Sequence, residues 1–105
     1  MSKLELEFHE KMEEIYFRAK DEIGYPANRF KQMIDINGGY KAAKILLQSK
    51  DLSDGFIELC MHHRQDLSME ALITENLRFH ELFTKEEIKT ARDRLVDSGY
   101  SPKIR

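Results

Sequence analysis

Residues 60–70 read CMHHRQDLSME and bring Cys60, His62, His63, Asp66 and Glu70 close together in the chain. Imidazole, thiolate and carboxylate are the groups that hold zinc and that build a cysteine nucleophile. Each chemistry makes demands that can be checked by spacing. Zinc needs three or four ligands converging at fixed distances. His62 and Asp66 lie four apart, which suits one helix face, but a helix ending between them would spoil the alignment. No CxxC or HxxxH pair stands nearby. HEKME, at 9–13, follows the metalloprotease HExxH pattern only until its fifth position, where Glu13 replaces the second histidine. Cys60 follows Phe56, Ile57 and Leu59 in an apolar run, the setting of a small buried hydrophobe. A nucleophilic pair of Cys60 with His63 would need an exposed, electropositive setting instead. The expectation is no catalytic residue, no metal, no cofactor and no enzyme.

A structural account covers the same residues. Ser68 can cap a helix, which puts Cys60 to Arg64 in the last turns of the helix before it and Glu70 in the first turn of the next. Basic groups favour a helix C-terminus and acidic groups an N-terminus, because the backbone dipoles sum along the axis. Asp66 then falls in the connection, where it can seed a turn or pair with Arg64.

The elements that would position these groups are helical. From Leu4 to Ile23, Phe8, Met12, Ile15, Tyr16, Ala19 and Ile23 follow the 3.6-residue period. Gly24 suits a left-handed close, and Pro26 suits the first turn of a second helix that turns Phe30, Met33 and Ile34 inward. That helix stops at Asn37–Gly39. A third, YKAAKILLQ, turns Tyr40, Ala43, Leu46 and Leu47 to the core and leaves Lys41, Lys44 and Gln48 in water, with Ile45 in neither group. Ser53, Ser68 and Thr84 each sit between flanking apolar residues as helix caps, and Glu87 completes a capping box with Thr84. The last helix runs to about Ser98, buries Ile88, Ala91, Leu95 and Val96, and closes at Gly99. No segment alternates like a strand. The repeat of FHE at 8–10 and 79–81 has unlike surroundings and reads as chance. The fold expected is all-α: a compact single-domain bundle of five or six short helices over residues 1–100, with 101–105 as a short C-terminal tail.

With 105 residues, 41% hydrophobic and 34% charged, the chain suits one folded domain. No apolar run is long enough to span a membrane, the acidic start is no secretory signal, and the lone Cys60 fits a reducing compartment, so the cytoplasm is the expected location. The net charge of −2 is unevenly spread. Residues 24–50 carry Arg29, Lys31, Lys41, Lys44 and Lys50 against Asp35 alone, whereas residues 51–83 are strongly acidic. NGGYKAAK invites a phosphate reading, but a Walker loop needs GxxxxGK[ST] after a strand, and neither is present. Helices at 29–36 and 40–48 around a glycine turn also resemble a helix-turn-helix whose lysines would touch phosphate. Against it, the second helix has no arginine, the commonest specific base reader.

The order of these signals is similar to that of a known family. YPANRFKQMIDINGGYKAAKILLQSKDLSDGFIELC, then RQDLSMEALI and LFTKEEIKTARDRLVDSGY, resembles a small bacterial helical domain. That domain is found alone or as a tail on phage, restriction-like and HNH-nuclease-containing proteins. The resemblance spans about residues 15–100. Arg29-Phe30, Gly38-Gly39, Ala43-Lys44, Gly55-Phe56, Asp66-Leu67-Ser68, Glu70-Ala71, Leu82-Phe83-Thr84 and Arg94-Leu95 carry it. Family members usually have tryptophan where Cys60 stands. The resemblance implies an accessory module in mobile-element or defence settings and names no reaction.

Together these features predict a non-catalytic binding module, foremost a protein–protein adaptor or inhibitor in a phage or bacterial-defence setting. Separated charges can orient another protein or a second copy of the chain. The alternative is a nucleic-acid-binding accessory domain using 24–50. Arg29, Tyr40, Lys41, Lys44 and Arg64 are the candidate binding residues under either reading.

Overall fold

Each helix can be traced to a cap, a stripe and a stop. Helix α1, Lys3–Ile23, begins where the Ser2 hydroxyl accepts the Glu5 amide at 3.1 Å. Its stripe buries Phe8, Met12 and Ala19, with Ile15, Tyr16 and Ile23 half-buried beside them. Helices α2, Asn28–Asn37, and α3, Gly39–Gln48, follow on either side of Gly38. Helices α4, Asp54–Met61, α5, Met69–Glu75, and α6, Lys85–Asp97, start at Ser53, Ser68 and Thr84 as expected. The cap oxygens accept amides at 3.1, 3.0 and 3.1 Å, and Glu87 closes the capping box at Thr84. Two short 3-10 segments, Gln65–Leu67 and Leu77–Leu82, complete the order. The computed structural model describes residues 2–104. Among them there is no strand, and the whole measures 33 × 27 × 26 Å.

The core centres on Phe8. Its ring meets Phe79 and Phe83 edge-on, each at 5.3 Å between centroids, with Met12, Ile34, Ala42 and Ile73 packed around them. Quadrupoles favour that edge-to-face geometry. The two FHE triplets thus contribute the two phenylalanines of one contact. A smaller cluster of Phe56, Ala71 and Leu95 joins α4, α5 and α6.

Some expectations are corrected. Pro26 lies before Ala27, the residue that opens α2, rather than within its first turn. Val96 is 54% exposed, because the neighbouring Leu95 takes the inward position. Residues 101–104 have no regular structure, yet the Lys103 amide and the Tyr100 hydroxyl both donate to Glu75, at 2.9 and 2.7 Å.

The opening histidines have a backbone explanation. Helix α4 ends at Met61, three residues sooner than expected, and His63 turns left-handed at φ 57°. The Arg64 amide then donates to Leu59 O at 2.8 Å and the His63 amide to Cys60 O at 3.1 Å. That is the Schellman pattern, which satisfies carbonyls a helix end leaves bare. Gly24 and Gly99 close α1 and α6 by the same left-handed step. Glycine takes this conformation without a Cβ penalty, and histidine does not. Replacing His63 with glycine should therefore raise stability by about 0.5–1 kcal/mol. A higher urea midpoint with an unchanged slope would confirm it.

Candidate functional site

Phe30, Met33 and Leu46 were expected inside, but each is only half-buried. They face a cleft of about 490 Å³ formed where α1, α2 and α3 meet α4 and the first turn of α5. Ile15, Phe56 and Met69 supply the rest of its main apolar walls. A volume of this order suits a small ligand or a few bulky side chains. Met33 and Met69 add walls that adjust to differing shapes, because the thioether chain is unbranched and polarisable.

One buried carboxyl lies in this lining. Glu70 projects from the first turn of α5, its side chain only 5% exposed. Arg94 of α6 donates to Glu70 Oε2 at 3.1 Å. The same guanidinium donates to the carbonyls of Ser49, Leu46 and Leu47 at 2.9, 3.2 and 3.4 Å. Those carbonyls end α3, where no intrahelical partner exists. One arginine thus ties α6 to α5 and to the end of α3. Burial pushes the Glu70 carboxyl up, more than its own backbone amide and Arg94 draw it down.

At the mouth, Arg29 of α2 faces Asp54 of α4 at 3.8 Å, with both side chains largely in water. Such a pair contributes little to stability. Tyr25 also lines the cleft; burial, then the nearby charges of Asp54 and Glu58, push its hydroxyl up. Gly55 stands between Ser53 and Phe56 in the same wall. A Cβ there would meet only Ser53 Oγ, at 3.9 Å, so neither packing nor backbone conformation requires glycine. A glycine in a helix normally costs about 1 kcal/mol against alanine. Gly55 lines the cleft without a side chain.

Of the five candidate binding residues, only Arg29 belongs to this cleft. Tyr40 packs its ring on Phe83 at 5.7 Å. Lys44 is not in water as expected, since its flank of α3 faces α6. Its ammonium donates to Glu87 at 2.6 Å and lies 5.2 and 5.3 Å from the Tyr40 and Phe83 ring centres. Arg64 holds Asp66 through two nitrogens, at 3.0 and 3.2 Å, and reaches Glu22 at 2.8 Å. Lys41 is exposed. The structure does not bring the five together. Glu70, Arg94 and Gly55 were read only as helix-end or resemblance residues, because their meeting depends on how α3, α4, α5 and α6 pack.

The Lys44–Glu87 pair has a measurable signature. Burial would raise the Glu87 carboxyl, but the Lys44 hydrogen bond and the Thr84 amide together bring it below the ordinary glutamate value. Its stabilising effect is therefore present above that value and is lost as pH falls through the lowered one. Glu87→Gln should cost about 1 kcal/mol at neutral pH, the difference between a charged and a neutral hydrogen bond. Denaturant midpoints should show the gap closing as the pH is lowered.

Burial pushes the Cys60 thiol up, which favours the inert thiol over the thiolate. Among the described residues no three His, Cys, Asp or Glu side chains form a metal-binding group. None of the helices there is long and apolar enough to cross a membrane. No protein-family profile, curated protein or solved structure matches the chain. The fold and the site define an all-α domain with a largely apolar cleft beside a buried ion pair.

Proposed function

We propose that this protein is a non-catalytic binding module, an adaptor or inhibitor that receives apolar side chains of a partner protein in the cleft. The observation that carries the reading is the cleft itself, lined by Gly55 and by Glu70, which Arg94 holds in place. Apolar side chains entering it would leave water, which stabilises a complex by roughly 25 cal/mol per Å² buried. The resemblance over residues 15–100 supports a phage or bacterial-defence setting. Nucleic-acid binding ranks second. In the basic run 24–50, Arg29, Lys31 and Lys44 already face Asp54, Asp35 and Glu87.

Gly55→Leu tests the first reading, because leucine favours the helix and its side chain would occupy the cleft. The variant and the wild-type chain should fold alike. Proteins retained from a host lysate by the wild type should be lost with the variant. Equal retention by both would refute cleft docking. Retention on duplex DNA that falls steeply with salt and disappears in Lys41→Glu/Lys44→Glu would favour the second reading instead.

A further inference from the structure

We infer that residues 50–63, the segment that holds α4, form a strap able to close over the cleft, a motion that does not depend on what the cleft receives. The segment runs between two fixed points. Before it, the Ser49 carbonyl accepts a hydrogen bond from Arg94 at 2.9 Å. After it, Arg64 reaches Glu22 of α1 at 2.8 Å and Asp66 at 3.0 Å. Between these points, residues 50–53 have no regular structure, and Lys50, Asp51 and Leu52 are exposed. At the far end stands His63, the one non-glycine residue with a positive φ among the described residues. A left-handed histidine is held at a cost, and such conformations gather at segments that switch. Short stretches at the ends of an element are also what absorbs the backbone change when a wall closes.

The packing divides along the same line. Phe30, Met33 and Leu46, on the α2–α3 side of the cleft, pack against the main core around Phe8, and no described residue of α4 takes part in that core. Helix α4 is seated instead by Phe56 on Ala71 and Leu95, and by Leu59 on Ala19 and Leu67. Across the mouth, the Arg29–Asp54 pair joins α4 to α2 at 3.8 Å, largely in water, and contributes little. The cleft is thus a seam between α4 and the α2–α3 pair. Apolar side chains on both edges keep partial contact with water: Phe30, Met33 and Leu46 are half-buried, and Leu52 is exposed. Bringing such surfaces together is favourable, and protein interiors pack closely. A rotation of α4 about Phe56 and Leu59, taken up at 50–53 and at His63, would close the seam. The arrangement described above is the open one.

The test measures distances between nitroxide spin labels in the full chain, by double electron–electron resonance, with Cys60→Ser as background. Ile36→Cys on α2 and Met61→Cys on α4 place both labels at well-exposed positions, so the fold is left intact. Ile36→Cys with Val96→Cys on α6, also exposed, is the reference pair. The α2–α4 distances should fall into two populations, the shorter one closed, whereas the reference pair should give one. Met33→Gln, which makes closure bury an amide, should lower the shorter population several-fold. His63→Gly, which removes the cost of the left-handed step in the open form, should do the same. A single α2–α4 distance as narrow as that of the reference pair would overturn the inference. So would a shorter population that Met33→Gln and His63→Gly both leave unchanged.

Discussion

Arg94→Ala should be the most damaging single substitution in this protein, lowering its stability by about 3–5 kcal/mol. The reason is what arginine leaves behind. Glu70 is 5% exposed and its carboxylate would lose the one cationic partner it has among the described residues. The carbonyls of Leu46, Leu47 and Ser49 would lose a donor in the same step. Removing one member of a buried pair costs far more than the pair itself contributes, because the survivor keeps its desolvation penalty. Two further results distinguish this cause from lost packing. Arg94→Met/Glu70→Leu removes both charges and should recover much of the loss. The deficit of Arg94→Ala should also shrink in acid. With a raised folded-state pKa, Glu70 contributes most when protonated, below its unfolded value, and that contribution disappears as pH rises through the folded one. Urea melts of the single and double variants across the glutamate range would measure both effects. A deficit that is small or independent of pH would contradict the account.

Gly39→Ala should cost about 3 kcal/mol, the reverse of the usual helix preference. Alanine for glycine inside a helix ordinarily gains about 1 kcal/mol. Here an added Cβ would sit 2.7 Å from the His9 Cα, and 3.3 Å from its Cβ and Nδ1. The Gly39 amide also donates to His9 Nδ1 at 2.8 Å, which places the ring proton on Nε2, toward Glu13. Helices α1 and α3 would have to separate, at an overpacking cost of about 1–3 kcal/mol and with a weakened hydrogen bond worth about another 1. His9→Ala in the same chain should not rescue the variant, because the nearest obstacle is backbone. Thermal unfolding of the single and double variants would decide it, and rescue would show that the side chain was the obstacle. Gly38, the adjacent glycine, serves differently: it has open space but a φ of 83°. Sequence reading took the pair simply as a helix break. One glycine makes the turn, and the other lets two helices touch.

Local signals account for most of what was legible. Ser53, Ser68 and Thr84 marked three helix starts because a cap needs only a side-chain oxygen and an amide a few residues away. The stripes of α1 and α3 were visible because a helix repeats every 3.6 residues whatever it packs against. The same logic read residues 60–70 as a junction, although the left-handed His63 and the early end of α4 were not visible, since glycine is the usual signal for that step. Lys44 shows the limit. Its position on α3 was correct, but its surroundings depended on α6, which begins forty residues later and presents Glu87.

The cleft lies wholly beyond that limit. Phe30, Met33 and Leu46 each look like core residues yet stay half-buried, since hydrophobicity reports a preference for leaving water and not whether a neighbour fills the space. The order, caps and apolar faces of the helices follow from contacts a few residues apart, where chain connectivity already determines geometry. The Arg94 contacts and the Gly39–His9 approach join residues 24 to 48 positions apart, and the cleft gathers residues from Ile15 to Glu70. Only the packing angles of whole helices decide those meetings.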